Sequence, residues 1–150
     1  MKEIIKWIDI NDLNSIYTSE YWNDIEAEKK KEWWVTDVEK EKITGYLYKS
    51  GLLEEFNIAV GKVEEKKALK GNILDVAAGV CWTSAMLSKK ESVTNIDALD
   101  FSYHRLNDIA PNVFKVLGAR DEKTNRIFGT FYDIKKDAGT YDLIFMSQAF

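Results

Sequence analysis

The chemistry-bearing residues of this 150-residue chain gather in its second half, where acids end short apolar runs. Asp75 lies in Ile73-Leu74-Asp75-Val76, directly before the small-residue turn Ala77-Ala78-Gly79-Val80-Cys81. Small residues there let backbone approach a ligand closely, and the amides opening the next helix supply a polar rim. A plain strand-to-helix turn would have the same composition. Asp100 follows the run Val93–Leu99, 21 residues after Gly79. A carboxylate at that place can accept both hydroxyl hydrogens of a ribose. It can equally cap the following helix, alone or with Ser102, and one carboxylate can serve both ends. Tyr132-Asp133-Ile134 follows a third run. Its acid could accept from an adenine amino group while the flanking side chains sandwich the ring, or simply sit in a turn.

The elements that must position these residues change character at Gly71. Residues 1–70 hold four of the five tryptophans (Trp7, Trp22, Trp33 and Trp34) and many Glu and Lys residues. Helices are predicted from Ser19 to about Val35, from Asp37 to Tyr48, and over Leu52–Leu69, the last from apolar residues at helical spacing. Lys49-Ser50-Gly51 and Lys70-Gly71-Asn72 read as stops. Over 71–150 the pattern alternates. Strands are predicted at Ile73–Val76, Val93–Leu99, Arg126–Phe131 and Leu143–Ser147. Helices are predicted over Trp82–Lys89 and from Ser102, the second broken around Pro111. Strands alternating with helices imply a parallel sheet with crossover helices. The expected organisation is a helical cap or lid over 1–70 and an α/β domain over 71–150.

Composition narrows the function classes. Lone Cys81 excludes an internal disulfide, and with lone His104 it removes the usual zinc sets, so no metal site is expected. Net charge is −4, with 21 basic and 25 acidic residues interspersed, which argues against strong binding to nucleic acid. Apolar runs such as Leu143–Met146 are too short to span a bilayer, and the start carries no secretory pattern. A cytoplasmic protein is expected, with no membrane partner.

Taken in order, these motifs resemble the Rossmann-like class I S-adenosylmethionine-dependent methyltransferases, over Gly71–Phe150. That family's glycine-rich first motif is matched by Asp75–Cys81, with Ala77 and Cys81 in place of its outer glycines. Its ribose acid is matched by Asp100, its adenine-side acid by Asp133, and its fourth-strand motif by Tyr141–Phe150. The resemblance implies S-adenosylmethionine as cofactor and the spatial strand order third, second, first, fourth. It implies that Asp75 orients the turn and the cofactor's amino group, and that Ala77 and Gly79 approach the methionine part by backbone. Asp100 would hold the ribose with Phe101 against the adenine. Tyr132, Asp133 and Ile134 would meet the base, and Ser147 and Gln148 would face the methyl-transfer region. No residue declares itself a general base. His104 reads as a surface residue and Cys81 as a turn filler.

The acceptor implied by mild acidity and the aromatic cap is a small molecule. Tyr17, Tyr21, Trp22, Trp33 and Trp34 either line a lid over it or pack the helices on the sheet. The fourth strand, Leu143-Ile144-Phe145-Met146, would be an apolar edge without charge or proline. It should be covered by further C-terminal strands of a longer protein or by a second copy in a homodimer. Two other functions remain open. A non-catalytic cofactor-binding or dimerisation module would share these motifs. An NAD-dependent oxidoreductase would also place an acid on ribose, but its first turn wants Gly-x-Gly-x-x-Gly.

Overall fold

The computed structural model describes residues 1–9 and 40–147, with side chains from 42 onward in the second stretch. The helix expected over Ser19–Val35, its aromatic residues, and Gln148 therefore lie outside the described residues.

Five parallel strands form one sheet: β1 (Ile5–Lys6), β2 (Gly71–Val76), β3 (Val93–Asp100), β4 (Thr124–Phe128) and β5 (Leu143–Met146). Their spatial order is β1-β4-β3-β2-β5. The four strands expected from the sequence are β2 to β5, and they lie in the expected order. The fold is a Rossmann-like α/β sheet. β1 is an addition to that expectation: it extends the far edge by pairing Ile5 with Ile127 and Lys6 with Phe128. Two residues are too few to show the alternation that marks a strand.

Helices α1 (Lys40–Lys49), α2 (Leu52–Glu65), α3 (Trp82–Ser88) and α4 (Ala110–Leu117) accompany the sheet. Ile43 and Leu47 of α1 share a buried cluster with Ala85, Val113 and Phe114. Phe56 and Val60 of α2 pack with Ile73, Leu87 and Ile96. So the described helices before Gly71 bury their apolar sides with the sheet domain itself. The other sheet face carries Leu74, Val76, Leu99 and Ile127, covered by Trp7, Ile134 and Tyr141. Alternation of side chains along each strand separates the two clusters.

The helix after β3 is not broken at Pro111. It widens instead into a π-helical turn, Arg105–Ile109, and runs on as α4 with the proline in its first turn. The wider turn directly before Pro111 shifts the hydrogen-bond register there, so the ring is accommodated without a break. Among the described residues no helix is long and apolar enough to cross a membrane.

Candidate functional site

The turn after β2 takes the left-handed conformation at alternate residues: φ is 54° at Ala77, 57° at Gly79 and 65° at Cys81. Only one of the three is glycine. For the other two the Cβ crowds the following carbonyl, at roughly 1–2 kcal/mol each. Neighbouring hydrogen bonds hold them there. Ala78 N–H donates to the Leu99 carbonyl at 3.0 Å, and Cys81 N–H to that of Ala78 at 2.8 Å. Gly79 N–H donates to Asp100 Oδ2 at 2.7 Å.

Asp75 supports the turn from behind. It is 1% exposed, and its Oδ2 accepts from Thr83 Oγ1 and Ser84 Oγ, each at 2.6 Å. The last turn of β2 is thereby tied to the first turn of α3. Burial pushes the carboxyl up to about 6; the two hydroxyls oppose that shift and the Asp100 charge adds to it. Cys81 is fully buried, and burial raises its thiol well above the ordinary range, as do the nearby acids. A neutral thiol is a poor nucleophile, so its position is that of a turn filler.

Beyond the strand tips lies a cleft of about 290 Å³. Its floor is Ala77, Leu99, Asp100 and Phe101, and its far wall is Gly129, Thr130, Phe131 and Tyr132. Asp100 enters it fixed at both oxygens, because Ser102 N–H donates to Oδ1 at 2.7 Å while Gly79 holds Oδ2. A carboxylate offers about four lone-pair sites, so one such group can serve several donors at once. Phe101 lies near-parallel to Phe128, with ring centres 6.3 Å apart. Phe131 and Tyr132 form a second ring pair at 4.4 Å, with Tyr132 87% exposed at the rim. Gly129 has no spare room: a Cβ there would lie 3.1 Å from Trp7 Cβ and 3.2 Å from Leu99 Cδ1.

Of the residues singled out in the sequence, the fold thus brings Ala77, Asp100, Phe101 and Tyr132 to one cleft. Gly79 sits beside it on Asp100. Asp133 does not line it; its side chain is exposed and ion-paired with Lys135. Ile134 packs under the sheet near Leu74 and Val76, and Ser147 follows β5, half-buried. His104 is more enclosed than a surface residue, with its side chain 15% exposed and Nδ1 2.7 Å from Asp108 Oδ2. Gly129, Thr130 and Phe131 escaped sequence reasoning because the third strand was extended through them. It ends at Phe128, and the glycine that follows was the available signal.

No family model and no curated protein matches the sequence. A solved structure does match: a candidate S-adenosyl-L-methionine-dependent methyltransferase from Methanococcus maripaludis. The superposition has a TM-score of 0.58 and 20% identity, covering 75% of this chain and 52% of the other. The shared feature is the fold, and the chain spans about half the length of that protein.

Proposed function

We propose that the protein is an S-adenosylmethionine-dependent methyltransferase acting on a small-molecule acceptor in the cytoplasm. The observation that carries this reading is Asp100: a carboxylate at a strand tip, clamped by two amides, facing a cleft. In open α/β sheets ligands bind beyond the carboxyl ends of strands, near the switch in strand order. Here that switch is at β2, which pairs with β3 on one side and β5 on the other.

The residues present fit a nucleoside. The cleft volume of about 290 Å³ is at the small end of ligand pockets, about 300–1,000 Å³, and suits the nucleoside part. Asp100 would accept from the ribose hydroxyls, Phe101 would lie against the base, and Tyr132 would close the rim. Asp133, exposed and paired with Lys135, and Ile134, packed under the sheet, take no part in these contacts. Ala77 and Gly79 would pass backbone along the amino-acid tail, and Ser147 and Gln148 would stand toward the acceptor. When bound, the cofactor supplies an activated methyl carbon, so the chain's own task is alignment and exclusion of water.

A non-catalytic cofactor-binding module would use the same cleft. A methyl-transfer assay across small hydroxyl, amine and thiol acceptors separates the two. Binding of S-adenosylhomocysteine is the prior test. Its amide shifts should fall at Ala77, Phe101 and Gly129, and shifts elsewhere would contradict the site.

A further inference from the structure

A second cavity, of about 450 Å³, opens at the β1 edge of the sheet, beside β4 and the π-helical turn. Lys2, Lys6 and Arg126 line it together with Tyr103 and Asn107, against one acid, Glu3. That is a cationic concavity on a chain of net charge −4.

Arg126 is its distinctive member. It is 7% exposed, yet its hydrogen bonds are to main-chain carbonyls: Nη1 to Leu106 O and Nη2 to Lys2 O, both at 2.6 Å. Buried charges are ordinarily paired, and a guanidinium fork suits carboxylate or phosphate oxygens. Among the described residues no carboxylate forms an ion pair with Arg126. Asp121 acts on it only through space, alongside Tyr103 and Cys81. Lys2 is likewise held by neutral oxygens, those of Glu122 O and Asn125 Oδ1. The wall opposite β1 is the π-helical turn. Such turns are uncommon and cluster at functional sites. Here the turn presents the Leu106 carbonyl to Arg126.

We propose that this pocket binds a phosphate-type oxyanion, with Arg126 and Lys6 supplying the charge and Asn107 and Tyr103 the neutral donors. The site is independent of the cleft at Asp100. A nuclear magnetic resonance titration with inorganic phosphate at constant ionic strength tests it. Saturable shifts are expected at Lys6, Tyr103 and Asn107. Lys6→Glu should weaken binding about tenfold or more, whereas Lys62→Glu, the same charge change on exposed α2, should alter it by less than about twofold. Acetate should bind more weakly at the same residues. Shifts that fail to saturate, equal losses in both variants (an adventitious ion only), or tighter binding of acetate would each overturn the assignment.

Discussion

Gly79 N–H and Asp100 Oδ2 stand 2.7 Å apart, so the turn after β2 and the tip of β3 are fastened at the floor of the cleft. Ser102 N–H occupies the other carboxylate oxygen. An asparagine at this position keeps one acceptor oxygen and must abandon one of the two amides. Asp100→Asn should cost about 1–3 kcal/mol in urea unfolding. An unchanged unfolding midpoint would mean the clamp contributes nothing to the fold.

Strain in the turn makes a second prediction. Ala77→Gly removes the Cβ from a residue at φ 54°, while the glycine adds freedom to the unfolded chain. Relief of about 1–2 kcal/mol against an entropic loss of about 0.4–1 kcal/mol leaves a net gain between zero and about 1.6 kcal/mol. Ala77→Val, branched and facing the cleft, should lower stability and block ligand together. Thermal unfolding of the pair checks both directions.

Asp75 sets a pH dependence. Its folded carboxyl titrates at about 6, against 3.8 in the reference state, so the folded protein holds an extra proton between those values. Stability attributable to this group is therefore full below about pH 4, falls as pH rises through the window, and is level above about 6. The total is on the order of 3 kcal/mol. Asp75→Asn keeps an acceptor for Thr83 and Ser84 without the titration. The difference between wild-type and variant unfolding curves should slope only between pH 4 and 6. A flat difference would contradict the burial argument.

The edge at β5 gives a fourth. Ile144 is 61% exposed and Met146 42%, on a strand that among the described residues is paired at one side, with β2. Unpaired apolar edges promote pairing with another chain. Sedimentation velocity should show association that rises with concentration and is reduced by Ile144→Lys. Identical behaviour of wild type and variant would remove β5 as an interface.

The strands and Asp100 were legible because apolar runs ended by acids mark both, whereas the strand order came from the resemblance to the methyltransferases. The sequence also exposed Ala77 and Cys81 as non-glycine residues in a glycine-rich position, but backbone angles cannot be read through an L-residue, so the strain appeared only in the fold. Asp133 shows the limit differently. It belongs to the stretch between Phe128 and Leu143, where no helical or strand period fixes side-chain direction, and Lys135 captures it at the surface. Pro111 in the sequence reads as a breaker, whereas the π-helical turn before it lets the helix continue. β1 lacked the length to register at all.

The most direct test of the proposed function is calorimetric titration of wild type and Asp100→Ala with S-adenosylhomocysteine and with NAD. S-adenosylhomocysteine should bind wild type, NAD should not, and the variant should lose about tenfold or more of that affinity. Preferential binding of NAD, or S-adenosylhomocysteine affinity indifferent to Asp100, would contradict the account.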